Sequence, residues 1–146
     1  MTLYMIGIGL NDEKDITVKG FEAIKKCDEV YLETYTSQLK CEYSALEKYY
    51  GKKIVLVDRD IVENKAEDII LKNAKDKNIA FLVIGDILAA TTHVDIFLRA
   101  RKDNITVEFI HNASVLSAVS IVGLELYKYG KTTSMPFPQK SYKPET

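Results

Sequence analysis

The sequence predicts an α/β fold, a parallel-sheet sandwich with helices on both faces. Three observations carry this. Short apolar runs alternate along the chain with segments of helical periodicity. The strongest run, IAFLVI at residues 79–84, is apolar without interruption, as in strands covered on both sides. The runs end in glycine or polar turns, and strands separated by helices pair in parallel because such a connection needs a crossover of a dozen or more residues.

Each element follows in order. Residues 3–8 (LYMIGI) are an apolar strand closed by glycines. The polar turn GLNDEKD leads to a helix with Val18, Phe21 and Ile24 on one face, capped by Asp15 or Thr17. Residues 29–34 (EVYLET) read as the second strand. Tyr43, Leu46 and Tyr50 mark a short helix, and residues 53–57 (KIVLV) the third strand. Ala66, Ile69, Ile70 and Ala74 recur at helical spacing. The fourth strand, at 79–84, belongs in mid-sheet. Thr92 to Asp95 fits a capping box, and Val94, Phe97 and Leu98 continue it as an inward stripe. Residues 106–111 (TVEFIH) are the fifth strand. SVLSAVSIVG is apolar nearly all round, which predicts a buried helix closed by Gly123.

Composition bounds the function. The chain has 146 residues, 47% hydrophobic and 28% charged, with a formal net charge of −1. A chain of this size buries roughly 70% of the surface its unfolded form exposes. No basic excess argues for binding nucleic acid or an acidic membrane. Cys27 and Cys41 are too few for a disulfide framework and lack metal-ligand spacing. No apolar run spans a bilayer and no signal-peptide pattern opens the chain, so the cytoplasm is the expected location. All three prolines, Pro136, Pro138 and Pro144, fall in the last eleven residues. That tail reads as a linker toward a further domain, or as a disordered terminus. The division expected is a domain at 1–135 and a linker at 136–146.

Right-handed crossovers put the C-terminal ends of all strands on one edge, where ligands of open α/β sheets bind. This gathers GIGL, GDILAATTH and HNAS into one place. GIGL (Gly7 to Leu10) lets backbone approach a ligand, or is simply a tight turn; Asp12 stands where a dinucleotide fingerprint needs glycine. No phosphate-binding P-loop occurs. Asp86 is either a turn residue or a carboxylate that bonds ligand hydroxyl or ammonium groups. Ala89 and Ala90 leave room beside it, and Thr91 and Thr92 offer hydroxyls. Asn112 or Ser114 caps the helix that follows, whose free N–H groups could hold a polar group. His93 and His111 sit at element ends, where a lone histidine is more often structural. There is no metal constellation, nucleophile elbow or pair of catalytic carboxylates. A polar, glycine-rich site without acid–base machinery suits methyl transfer from a sulfonium donor, which needs mainly positioning because the donor carries its own leaving group.

Several stretches carry a resemblance. LYMIGIGLNDEKDITVKGFEAIKKCDEVYLETYTS, YYGKKIVLVDRDIVE, AFLVIGD followed by ATTH, and IHNASVLSAV resemble the diphthine synthases, within the wider group of tetrapyrrole-methylase-like methyltransferases. The resemblance implies two α/β domains, of which this is the N-terminal one, with S-adenosylmethionine in the cleft between them. It implies methylation of the 3-amino-3-carboxypropyl arm on a modified histidine of elongation factor 2, in diphthamide biosynthesis, by a homodimer. Carried over by position, donor contacts fall on Leu10, Asp86, Ala89, Ser114 and Val115; no catalytic residue is identified. Ile87 stands where the family commonly has proline, Ala89 where it often has glycine or valine, and Ser120 where it often has glycine. Two other readings are a related methyltransferase with a tetrapyrrole or RNA acceptor, and a non-catalytic domain that self-associates.

Overall fold

The computed structural model describes residues 1–89 and 93–133. Five parallel strands form one sheet in the order β3-β2-β4-β1-β5. They are β1 (Thr2–Gly7), β2 (Glu29–Glu33), β3 (Val55–Val57), β4 (Ile79–Val83) and β5 (Thr106–Ile110). The uninterrupted run of β4 lies in the middle, paired with β1 and β2, with every residue buried. Strand β3 is shorter than the run that predicts it. It sits on the edge, with Val55 and Leu56 exposed.

Alternation along β4 splits the core in two. Ile79, Phe81 and Val83 face one side, with Leu3, Met5, Val57, Ile70, Ile96 and Ala100. Ala80, Leu82 and Ile84 face the other, with Ile6, Ile24, Leu32, Leu46 and Tyr50. Helices α1 (Val18–Lys26) and α2 (Tyr43–Tyr50) cover the second side. Helix α3 (Arg59–Asn64), a π-helical turn (Glu67–Leu71) running into α4 (Lys72–Ala74), and α5 (Val94–Lys102) cover the first. Among the described residues no helix is long and apolar enough to cross a membrane.

Three helix readings are corrected. In α1 Ile24 is buried and Phe21 packs against the core as expected, but Gly20 and Ala23 complete the inward face and Val18 is 76% exposed; of the two expected caps it is Thr17 whose Oγ1 accepts the Gly20 N–H. In α5 the inward residues are Ile96 and Ala100 with Phe97, and Val94 and Leu98 point outward. Small residues (Gly20, Ala23, Ala100) share the inward faces with Ile24 and Ile96 and let these helices lie close to the sheet. The run after β5 is a short α6 (Val115–Ala118) and a 3-10 turn (Val119–Val122), not a buried helix. Gly123 does close it in the left-handed conformation, but Ile121 is 91% exposed. The capping box at Thr92 and the linker at 136–146 lie outside the described residues.

Candidate functional site

The site is built where β1 and β4 end side by side. Their connections leave toward opposite faces, β1 into α1 and β4 into α5, which opens a crevice at the C-terminal edge. The two turns are joined at its floor. Gly9 N–H donates to the Gly85 carbonyl (3.3 Å) and Gly85 N–H to the Gly9 carbonyl (2.7 Å), an antiparallel bridge between parallel strands. Both glycines have positive φ, +83° and +85°, which a side chain would strain. A Cβ on Gly7 would lie 2.5 Å from the Gly85 carbonyl oxygen, so the two turns touch backbone to backbone.

Asp86 ties this pair of turns to the end of β5. Its Oδ1 accepts the Leu88 N–H (3.0 Å), an Asx-type turn. Its Oδ2 accepts the Asn112 N–H (3.0 Å) and lies 2.8 Å from His111 Nδ1. Burial raises the carboxyl pKa, but the Leu88 and Asn112 N–H groups and the His111 ring outweigh it and hold the group below the ordinary carboxylate range. The turn role expected of Asp86 is therefore present, together with an anchor across two loops. His111 is largely exposed, 64% for its side chain.

Asn112 completes the joint. Its Nδ2 donates to the Gly7 carbonyl (3.1 Å) and the Asp15 carbonyl (3.0 Å), linking the ends of β1 and β5 to the start of α1. Asp15 Oδ2 in turn accepts the N–H groups of Leu10 (3.1 Å) and Asn11 (2.8 Å).

The residues implied by the resemblance meet at this edge. The Leu10 side chain comes within 3.8 Å of where a Cβ on Gly85 would be, and the Ser114 Cα within 4.0 Å. Ser114 caps α6, its Oγ accepting the Leu116 N–H (3.2 Å). Val115 is exposed beside it, and half-buried Ala89 closes the turn after Asp86. Ala90, Thr91 and Thr92 lie outside the described residues. Among the described residues no cluster of three His, Cys, Asp or Glu could hold a metal ion.

One feature escapes sequence reasoning. Glu33, the last residue of β2, is a buried carboxylate at the same edge, facing His93 Nε2 at 3.4 Å. Burial raises its pKa, but His93 and the Thr36 and Tyr35 groups outweigh that and lower it. The signal was an acidic residue inside the apolar stretch YLET, which by alternation alone reads as solvent-facing.

Comparison with known proteins gives consistent findings. The model for tetrapyrrole (corrin/porphyrin) methylases matches residues 2–144. Diphthine methyl ester synthase of Dictyostelium discoideum is 50% identical over 148 residues, covering 100% of this chain and 54% of that protein. The enzyme of the same name from Schizosaccharomyces pombe is 48% identical over 98% of this chain and 50% of its own. A crystal structure of diphthine synthase superposes with a TM-score of 0.85 at 40% identity, over 89% of this chain and 52% of that one. The chain thus spans about half the length of the relatives it matches.

Proposed function

The chain belongs to the tetrapyrrole (corrin/porphyrin) methylase family, and on that footing we propose that it forms the donor-binding half of an S-adenosylmethionine-dependent diphthine methyl ester synthase. The observation that carries this is the convergence of three loops, after β1, β4 and β5, on one joined edge.

The residues there fit such a donor. Gly7, Gly9 and Gly85 make a floor of bare backbone. Leu10 and the exposed Val115 offer apolar surface to a purine face, and Ala89 leaves space. Asp86 is held ionised, and its Oδ1 keeps a lone pair beyond the Leu88 bond for a hydroxyl or ammonium group. The Val115 N–H, at the start of α6, adds a donor beside the capping Ser114.

When bound, S-adenosylmethionine supplies an activated methyl group and its own leaving group. The chain's part is to hold it, exclude competing poses and present it to an acceptor that attacks in line. The acceptor is the 3-amino-3-carboxypropyl arm on a histidine of elongation factor 2, methylated in diphthamide biosynthesis. In this reading the enzyme is a cytoplasmic homodimer, residues 1–135 form its N-terminal domain, and 136–146 lead to a second domain that completes the cleft.

The test is transfer of labelled methyl to elongation factor 2 carrying the unmethylated arm, with this chain and with a full-length relative as the reference. Transfer by the relative, and competition for its donor by this chain, support the reading. Transfer to a tetrapyrrole or RNA in place of elongation factor 2 overturns the acceptor.

A further inference from the structure

Methyl transfer to an amine requires that a proton leave it. An alkyl amine of the lysine kind, with a pKa of about 10 in water, is mostly protonated near neutral pH and has no lone pair to attack with. The edge described above holds a group that can take this proton. His111 directly follows β5 and stands against Asp86. The chain has two histidines. His93 is buried against Glu33, whereas the His111 side chain is largely exposed.

The bond to Asp86 settles which ring nitrogen is free. Burial opposes ionisation of Asp86, but the Leu88 and Asn112 N–H groups keep the carboxylate charged. A charged carboxylate only accepts hydrogen bonds, so His111 Nδ1, 2.8 Å from Oδ2, is the nitrogen that carries the hydrogen. In the neutral ring Nε2 is then left with its lone pair. Phe109 stacks against the imidazole, with centroids 6.4 Å apart and planes 21° from parallel, and holds its orientation. The ring therefore faces one carboxylate, from the turn after β4, and one apolar ring, from its own strand. Asp86 serves two neighbours: Oδ2 holds His111, and Oδ1 keeps the lone pair that the donor reading assigns to a donor group. Asn112, the next residue, is tied to the Gly7 and Asp15 carbonyls, which fixes His111 relative to the loop after β1.

We propose that His111 is the proton acceptor for the attacking amine, with Asp86 as the positioning residue for its ring. The ammonium of the arm gives a proton to Nε2. The freed lone pair forms the N–C bond to the methyl group as the C–S bond breaks, and that electron pair goes to sulfur. The proton on Nε2 then leaves to solvent, to which the side chain is open. This rests on the donor reading of the edge and on an amine as acceptor, both given above.

The test compares the wild-type chain with His111→Gln, whose amide can still donate to Asp86. Methyl transfer to elongation factor 2 carrying the unmethylated arm is followed against pH, and S-adenosylhomocysteine affinity by calorimetry. The wild-type rate should rise with pH as the ring loses its proton. His111→Gln should be slower near neutral pH by roughly 10²- to 10⁴-fold, the range of general base catalysis, at unchanged Kd. Raising the pH should narrow the gap, because the amine then loses its proton unaided. No loss, a loss independent of pH, or a loss explained by weaker ligand binding overturns the proton role. If the wild-type chain transfers no methyl, the ring decides. Bound S-adenosylhomocysteine should slow the acylation of His111 by diethyl pyrocarbonate several-fold, read by mass on the peptide that carries it. Equal acylation with and without bound ligand overturns the proposal and leaves the donor reading standing. No binding of S-adenosylhomocysteine by the wild type overturns the donor reading, and this proposal with it.

Discussion

Gly9 and Gly85 exchange two backbone hydrogen bonds although they follow strands that run parallel. The positive φ of both residues turns each chain back toward the other, so two loops behave as one surface. The first prediction concerns the glycine beneath them. Gly7→Ala places a methyl 2.5 Å from the Gly85 carbonyl, a contact only backbone movement relieves. The expected cost is about 1–3 kcal/mol in urea unfolding, with the joint opened. An unchanged midpoint and slope would show that the turns are not in contact.

Asp86 has a pH signature. Its folded pKa lies below the ordinary value of 3.8, so its stabilisation is complete above that value and is lost as pH falls through the lower, folded one. Asp86→Asn keeps one acceptor oxygen but no charge, and should cost about 1–2 kcal/mol at neutral pH. Its urea midpoint should then fall less steeply below pH 4 than the wild type's. Glu33, also shifted down, leaves a residual slope in both proteins.

Asn112 joins three segments through one amide. Asn112→Ala removes the bonds to the Gly7 and Asp15 carbonyls and should cost about 2 kcal/mol. Hydrogen exchange should accelerate first at Leu10 and Asn11, whose N–H groups rest on Asp15. Acceleration spread evenly over the sheet would contradict a local joint.

Tyr50 points the other way. Its ring is fully buried against Phe21 and Tyr49, but its hydroxyl has no hydrogen-bond partner among the described residues. Tyr50→Phe removes an unsatisfied polar atom and should stabilise the fold by about 1 kcal/mol, read as a rise of a few degrees in Tm. A loss of stability would reveal a partner for that hydroxyl.

The apolar run after β5 gives a test of assembly. Ile121→Glu with Val122→Lys alters residues that are both largely exposed, so monomer stability should change by no more than about 0.5 kcal/mol. Sedimentation should show weaker self-association if this face joins two copies. In a chain that self-associates, unchanged association places the contact elsewhere.

What the sequence made legible was set by local physics. The strands announced themselves because burial on both faces needs uninterrupted apolar residues, and β4 is the clearest case. The edge at which the three loops gather followed from the direction of the strands. Helix faces were harder, because size misleads: Val18, Val94 and Leu98 point outward while Ala23 and Ala100 pack inward. Helix α3 escaped because its core contribution is chiefly Val62 within a charged stretch, although Asp58 is a sound cap, accepting the Ile61 N–H. The run from Val115 to Val122 looks like core in composition but meets no cover within the described residues. At the site, the five residues implied by the resemblance do meet at one edge, whereas Glu33 did not stand out. Its buried carboxylate faces His93, sixty positions away, which no local pattern reveals.

The strand order has a consequence for how the chain is made. β1 holds the interior of the sheet between β4 and β5, and both partners are encoded far downstream: Leu3 pairs with Ile79 on one side and Val107 on the other. A growing chain therefore carries β1 without a sheet neighbour until the residues of β4, from Ile79 on, have left the ribosome. The early product is β2 with β3, which pair with each other across a single helix. Such long-range closure slows folding and prolongs exposure of β1, so this domain should need chaperone protection at its amino end most.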